Sequence, residues 1–249
     1  MYVESKKAPT RRLWRFHGGL HLPDNKRQSL TRPLQKATVT KRLILPLQQH
    51  IGEPAQPMVK VGSRVLKGQK IADSRAPVSA PLHAPSSGRV VDISEHDIPH
   101  PSGLASLCIV IEPDGREEWC ELPEPISDFR AATAESLRTR IRDAGIVGMG
   151  GATFPASVKL NPGRPIRTLI INGAECEPYI TCDDRLMQDF PERVLNGARI
   201  LQHLLGADEC LIGVEDNKPD AIGALQGHLM EDDTIEVVRD NRNWVLRGR

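Results

Sequence analysis

The apolar pattern of this chain changes its period once, near residue 128, and the two patterns call for different folds. Between residues 37 and 113, β-branched residues alternate with polar ones in short runs that glycine or proline interrupts. Many short strands with such breaks favour a small all-β barrel or sandwich. Residues 114–128 are rich in proline and acidic side chains, which is typical of a surface linker. We therefore predict a β-domain over 37–113, followed by a linker.

Beyond the linker, the chain alternates between helical and strand periods. Three short apolar runs predict strands, and the segments between them have the spacing of amphipathic helices: "RTLIINGA", "ECLIGVED" and "TIEVV". We expect the first two strands to be buried on both faces. Alternating helices and strands predict an α/β domain with a parallel sheet over residues 129–238. Ligands of such sheets bind beyond the C-terminal ends of the strands.

The two ends of the chain fit neither pattern. Residues 1–36 are polar and broken by prolines, so we predict an N-terminal arm that packs through Trp14, Phe16 and Leu20. Residues 239–249 form an atypical arginine-rich tail that does not complete a sheet. No run approaches the roughly 20 apolar residues of a membrane helix.

Composition excludes some partners and cofactors. The net charge is +1 and aromatic residues make up 4% of the chain, which gives no reason to expect binding to nucleic acid. The five cysteines are odd in number and show no C-x-x-C spacing, so we predict free thiols. His96 and His100 have no ligand pattern around them, and no metal site is expected.

A glycine-rich stretch, "GIVGMGGATFPASVKL", begins at residue 145. Glycines let a backbone approach a ligand closely, and clustered amides before a helix form an anion site. Gly148, Gly150 and Gly151 supply the glycines, and Lys159 would lie one helical turn further on, within reach of a phosphate or a ring carbonyl. A tight structural turn is the alternative explanation of the same pattern.

An acidic stretch, "INGAECEPYITCDD", follows the first predicted strand of the α/β domain. Asn172 can both donate to and accept from the edge of a heterocycle. Glu175 and Glu177 could receive ribose hydroxyls, although a solvated acidic loop would show the same pattern. Because one short connection separates the two stretches, we predict that both loops open on one sheet edge and form a single cradle for a flavin nucleotide.

The two motifs together resemble a known family. The run Gly-x-Gly-Gly-Ala-x-Phe-Pro followed by Asn-x-x-Glu-x-Glu-Pro is similar to the flavin- and NADH-binding fold in the flavoprotein component of complex I. A closer resemblance, through "FHGGLHLPDNKRQS", "VGSRVLKGQKIA" and "NGAECEPYITCDDRLM", is to the C subunit of the Rnf (Rsx) electron transport complex. One departure is Ala174, where the complex I pattern has an aspartate.

The resemblance implies roles for individual residues. It implies that Gly148, Gly150 and Gly151 line FMN with their backbone and that Lys159 meets the polar end of the flavin. It implies that Phe154 stacks near the nicotinamide of NADH. By the same resemblance, flavin and nicotinamide groups are held by Asn172, Glu175 and Glu177. No catalytic side chain is implied, since hydride transfer belongs to the cofactors.

The resemblance also implies a setting. The Rnf complex moves electrons between NADH and ferredoxin and couples this to ion movement. Its C subunit would sit peripherally on the cytoplasmic face of the inner membrane, held there by the other membrane subunits. The family normally carries two cysteine runs that hold [4Fe–4S] clusters, and none of the five cysteines here has that spacing. We therefore hypothesise a shortened form of the family protein, whose flavin domain is incomplete.

Residues 37–113 resemble the two halves of a biotinyl/lipoyl-type barrel-sandwich hybrid. Carrier versions place a modified lysine at the hairpin between the halves, but here the hairpin reads "ADSRAPVSAPLH" and has none. We expect a docking or structural module, with His83 a packed histidine. Two alternatives to the redox function remain open: a cofactor-free docking module for membrane partners, and the A subunit of a sodium-translocating NADH:quinone reductase.

Overall fold

The computed structural model describes residues 23–100 and 102–240. Within these ranges the chain forms two compact units. The first, called here the β unit, comprises residues 36–166 and 203–206. The second, called here the α/β unit, comprises the described residues of 1–35, 167–202 and the segment from 207 onward. The predicted anchors Trp14, Phe16 and Leu20 lie outside the described residues, as does most of the predicted tail.

Two small sheets form the body of the β unit. One has the order β1-β7-β6-β3 and the other the order β2-β4-β5, and all pairings are antiparallel. After helix α1 (Lys26–Ser29) of the α/β unit, the strands in chain order are β1 (Leu43–Pro46), β2 (Gln56–Pro57), β3 (Arg64–Val65), β4 (Lys70–Asp73), β5 (Leu82–His83), β6 (Gly88–Asp97) and β7 (Ala105–Pro113). Their core includes fully buried residues from both sheets, among them Val65, Ile71, Val90, Ile109 and Ile111.

The segment predicted to be a linker is attached to the β unit. The backbone amide of Lys67 donates to the carbonyl of Glu118, and the amide of Cys120 donates back to the carbonyl of Lys67. After a 3-10 turn (Phe129–Ala131), helix α2 (Ala134–Asp143) begins at a capping hydroxyl from Thr133. A second, short helix follows as α3 (Ala156–Lys159).

Gly145 follows the end of α2 with φ of 68°, a left-handed conformation that favours glycine at this position. A Cβ at this position would lie 2.6 Å from the carbonyl oxygen of Pro81, so the chain after α2 passes close to the loop before β5. Residues 129–166 group with the β unit in this structure, and the predicted start of the α/β domain at residue 129 stays a prediction.

The α/β unit is a parallel sheet with helices between its strands. Its elements are β8 (Thr168–Asn172), α4 (Cys182–Asp189), α5 (Pro191–Leu205), β9 (Glu209–Glu215), α6 (Pro219–Gly227) and β10 (Ile235–Asp240). The order is β10-β9-β8, with both pairings parallel, which confirms the predicted parallel sheet. The core joins the central strand to α5 and α6 through Leu195, Ile212, Val214 and Leu225.

One strand differs from its prediction. β8 was expected to be buried on both faces, but Ile170 at its centre is 68% exposed. β8 pairs only with β9 and forms an edge of the sheet, and periodicity alone does not distinguish an edge strand from a central one. All five cysteines are free thiols, as predicted. Among the described residues, no helix has the length and hydropathy needed to cross a bilayer.

Candidate functional site: a glycine-rich loop and an acidic loop

The glycine-rich stretch of the β unit folds into a closed loop. The amide of Gly148 donates to the carbonyl of Phe154 at 2.9 Å, and the amide of Ala156 donates to the carbonyl of Ile146 at 3.0 Å. These two bonds join the ends of the stretch as in a hairpin, and residues 149–153 form its tip. The site residue Phe154 is half-buried at the base of this loop.

The tip of the loop presents unused backbone amides. The amides of Gly150, Gly151 and Ala152 donate to no acceptor within the described ranges 23–100 and 102–240. Gly151 has φ of 94° and Thr153 has φ of 44°, so the chain turns sharply here. Its amides are therefore not restricted to the alternating directions that they have in a strand. A Cβ at Gly150 would meet nothing within 4 Å. The tip is therefore an open group of amides of the kind that binds anions.

A positive charge lies against Gly148, at the base of the same loop. Lys159 ends α3, one turn after the loop closes, and its side chain reaches back to Gly148. A Cβ at Gly148 would lie only 2.8 Å from Nζ of Lys159. The absence of a side chain at Gly148 thus makes room for the ammonium group. Free amides and a lysine together suit a phosphate or an electron-rich ring oxygen.

The acidic stretch begins at the C-terminal end of β8 in the α/β unit. The amide of Gly173 donates to the carbonyl of Gly213 at 2.8 Å and so extends the pairing with β9. Oδ1 of Asn172 accepts from the amide of Ala174 at 3.0 Å, which turns the chain away from the sheet. Asn172 itself is exposed.

Glu175 points into the unit and is 3% exposed. Its Oε1 accepts from the amide of Asp183 at 2.9 Å and from Sγ of Cys182 at 3.3 Å. Its own amide donates to Oε2 of Glu215, a buried carboxylate that also accepts from the ammonium of Lys218. The carboxylate of Glu175 therefore shapes the loop from inside.

Glu177 has the opposite orientation and is exposed. Its backbone carbonyl oxygen accepts a hydrogen bond from the ammonium of Lys26 at 3.0 Å. Two residues later, Tyr179 has φ of 66°, and its amide donates to the carbonyl of Asp24 at 2.8 Å. The loop thus turns outward at Glu177 and is fixed on both sides of it.

The carboxylates raise the pKa values of their neighbours. Burial and the negative charge of Glu175 raise the pKa of Asp183. Partial loss of contact with water and the hydrogen bond to Glu175 raise the pKa of the Cys182 thiol. Partial loss of contact with water and the charge of Glu177 raise the pKa of the Cys176 thiol. These thiols are protonated at neutral pH, and neither is an activated nucleophile.

One group of potential metal ligands occurs within the described residues: Glu175, Cys182 and Asp183, whose ligand atoms lie within 4.8 Å of one another. Lys26 lies 3.7 Å from Oε2 of Glu175, so a fixed positive charge already faces the group. Sγ of Cys182 and Oε1 of Glu175 are also hydrogen-bonded to each other. The cluster is poorly suited to a cation.

The sequence analysis missed three residues of this region: Lys26, Glu215 and Lys218. All are almost completely buried and charged. Glu215 could have been found, because it ends the second predicted strand at the sheet edge where ligand loops lie. Nothing in the sequence marks Lys26, which lies about 150 positions from the residues it contacts.

The predicted site residues fall in two groups. The β unit contains Gly148, Gly150, Gly151, Phe154 and Lys159, and the structure brings Gly148 and Lys159 together. The α/β unit contains Asn172, Glu175 and Glu177, of which the first and last are exposed and Glu175 is buried. Because the two groups belong to different units, the single cradle formed by both loops stays a prediction.

Comparison with known proteins identifies both parts of the chain. Residues 14–116 match the RnfC barrel sandwich hybrid domain, and residues 141–246 match the Nuo51 FMN-binding domain. The first match confirms the predicted barrel-sandwich hybrid. The second match contains both the glycine-rich loop and the acidic loop.

Curated relatives share about half of the aligned residues. The C subunit of the ion-translocating oxidoreductase complex of Serratia proteamaculans (strain 568) is 51% identical over 216 residues, which cover 86% of this chain and 30% of the relative. The protein of the same name from Pseudomonas aeruginosa is 53% identical over 218 residues, covering 87% of this chain and 28% of the relative. The chain thus spans about a third of the length of these relatives.

A solved NAD+-reducing [NiFe]-hydrogenase in its H2-reduced state is 23% identical, with a TM-score of 0.38. The match covers 44% of this chain and 21% of that one. We base no argument on this likeness.

Proposed function

Because the chain belongs to the RnfC family, the C subunits of ion-translocating oxidoreductase complexes, we propose that it binds FMN and takes part in electron transfer between NADH and ferredoxin. The family is the one that the sequence motifs predicted. The match to the FMN-binding domain covers residues 141–246. For the complex as a whole, we propose electron transport that is coupled to ion movement.

The observation that carries this proposal is the tip of the glycine-rich loop. Gly150 and Gly151 offer amides without an acceptor among the described residues, and the ammonium of Lys159 lies at Gly148 in the same loop. This donor set fits an anionic or electron-rich group of a flavin nucleotide. A Cβ at Gly148 would lie 2.8 Å from the ammonium nitrogen, too close for both to stay in place, so both the glycine and the lysine are needed for the arrangement.

FMN, when bound, supplies the chemistry of accepting a hydride and passing on single electrons. The residues of the chain bind and orient the flavin and NADH. In this proposal Gly148, Gly150 and Gly151 face the flavin with their backbone and Lys159 holds its polar end. Phe154 packs near the nicotinamide of NADH.

The residues of the acidic loop have two different roles in the proposal. Asn172 and Glu177 are exposed and available to flavin or nicotinamide groups, including ribose hydroxyls. Glu175 is buried and committed to the amide of Asp183. Its proposed contribution to binding is therefore to hold the loop in the shape that presents its neighbours.

We propose the other membrane subunits of the complex as partners, with peripheral attachment through them at the cytoplasmic face of the inner membrane. The relatives' names describe one component of a complex, which supports partner subunits in general terms. [4Fe–4S] clusters are expected of the family, but the cysteines of this sequence lack the spacing that would hold them.

The test is reduction of bound flavin. The purified chain is incubated with FMN, freed of excess, and mixed with NADH in the absence of oxygen. The proposal predicts retained yellow absorbance that NADH bleaches. Retained flavin that NADH does not bleach would refute the NADH part alone, and no retained flavin would favour the docking module instead. The relatives' names favour the ion-translocating oxidoreductase complex over the sodium-translocating NADH:quinone reductase as the setting of this chain.

A further inference from the structure

The N-terminal segment before β1 reaches into the acidic loop through one buried lysine. Lys26 is the first residue of α1 and is 6% exposed. Its ammonium donates to the carbonyl of Glu177 at 3.0 Å and to the carbonyl of Ile180 at 2.6 Å. It also lies 3.7 Å from Oε2 of Glu175. These contacts span the whole turn that carries the exposed carboxylate of Glu177.

The ammonium is also the balancing charge of a buried carboxylate. Oε2 of Glu175 is buried and has no hydrogen-bond partner within the described part of the chain. The side chains of Glu175 and Lys26 are 2% and 7% exposed, so water screens this pair poorly. Without Lys26, this oxygen would face the protein interior with neither a donor nor an adjacent positive charge.

The chain just before Lys26 adds a second attachment to the same loop. The carbonyl of Asp24 accepts from the amide of Tyr179, a residue held at φ of 66°. Left-handed backbone at a residue other than glycine is held in place by its surroundings. Asn25 also has a positive φ, of 50°, which turns the segment so that Asp24 and Lys26 both face the loop.

We propose that Lys26 is a positioning residue for nucleotide binding. It holds the carbonyls of Glu177 and Ile180 together, so that the carboxylate of Glu177 stays outside, where it can accept from the hydroxyls of a dinucleotide ribose. The inference rests on the proposed function, and it assigns a role to the "PDNKRQS" segment that the family match alone does not give.

The test compares Lys26→Met with Arg27→Met in the full chain. Methionine keeps the length and much of the apolar stem of lysine, and Arg27 is an exposed neighbour on the same helix. The first measurement is hydrogen exchange without ligand at the amides of Tyr179 and Asp183, with the amides of β9 as internal reference. The second is the Kd of FMN, and then of NADH on the FMN-loaded chain.

For Lys26→Met we expect faster exchange at both loop amides and unchanged exchange in β9. We expect NADH binding to weaken by about tenfold or more, with FMN binding changed by less than about threefold. Arg27→Met should match the unaltered chain in every measurement. If Lys26→Met does not fold, the double variant Lys26→Met/Glu175→Gln removes both buried charges and is measured in its place.

Unchanged exchange at the loop amides would overturn the proposal. Faster exchange without any selective loss of NADH affinity would overturn the positioning role and leave a purely structural lysine. A chain that binds neither FMN nor NADH in its unaltered form would refute the proposed function itself, and the exchange measurement would still show whether Lys26 orders the loop.

Discussion

Replacing Gly148 by alanine should remove the lysine from the glycine-rich loop while leaving the fold intact. An added Cβ would lie 2.8 Å from Nζ of Lys159 and 3.6 Å from the carbonyl oxygen of Phe154. The only close atom is the end of a flexible side chain, and Gly148 does not have a positive φ. The ammonium must therefore move, and the backbone need not.

The size of the effect follows from what the ammonium does. A hydrogen bond to a charged group contributes about 1.5–3 kcal/mol, or about 10- to 150-fold in Kd. Lys159 is exposed, so water screens its charge and the lower limit applies. We expect Gly148→Ala to weaken FMN binding by about tenfold, with the free energy of unfolding changed by less than about 1 kcal/mol.

The assay is a thermodynamic cycle measured by quenching of flavin fluorescence. Gly148→Ala, Lys159→Ala and the double variant are titrated with FMN, and Gly197→Ala serves as a control because a Cβ there meets nothing within 4 Å. If alanine acts by displacing the ammonium, the double variant binds as weakly as Lys159→Ala alone. The reasoning would be refuted if Gly148→Ala weakened FMN binding as much in the Lys159→Ala background as in the unaltered chain. It would also be refuted if Gly148→Ala bound FMN as tightly as the unaltered chain.

Other predictions concern the buried charges and thiols. Glu215 and Lys218 form an ion pair in which each residue is 2% exposed. Lys218→Met should therefore lower the free energy of unfolding, measured in urea, by about 3–5 kcal/mol. A decrease of less than about 1 kcal/mol, as for a surface pair, would contradict this prediction. The raised pKa of Asp183 means that the folded state binds a proton more tightly than the unfolded state, so stability should fall as the pH rises from 3.8 through the folded pKa. Asp183→Asn should remove this fall, and identical pH profiles of melting temperature would contradict it. Burial raises the pKa of Cys210 to about 11, so iodoacetamide should label the exposed Cys182 in the native chain and Cys210 only after unfolding, as mass spectrometry of the peptides would show.

The strand pattern predicted much of the fold because burial and period leave a direct trace in the sequence. The runs ending at Glu215 and near residue 238 became β9 and β10 in a parallel sheet. The edge position of β8 was not predictable in this way. Ile170 is apolar like its neighbours, and its exposure depends on which strands pair beside it.

The sequence also did not predict that residues 114–128 are attached to the β unit. Their composition is that of a linker, but Glu118 and Cys120 exchange backbone hydrogen bonds with Lys67. Backbone pairing does not depend on side-chain type, so composition carries no sign of it. Similarly, nothing in the sequence shows the close approach of Gly145 to Pro81.

The site was predicted best where chemistry depends on local sequence. Glycines that leave amides free and a lysine one turn later are a local pattern, and the structure brings Gly148 and Lys159 together. Glu175 and Glu177 have the same side chain and lie two positions apart, but one is buried and the other exposed. That difference comes from the backbone amide of Asp183, whose role the sequence does not mark, and from Lys26, which lies outside the acidic stretch.

The central claim, that the glycine-rich loop binds FMN, is tested most directly by titrating the full chain and Gly150→Val with FMN. A Cβ at Gly150 meets no protein atom within 4 Å, so valine should leave the melting temperature unchanged and fill only the space proposed for the ligand. The account predicts saturable quenching by the unaltered chain and a loss of at least about tenfold in affinity for Gly150→Val. Equal affinity in the two proteins, or no saturable quenching in either, would contradict it.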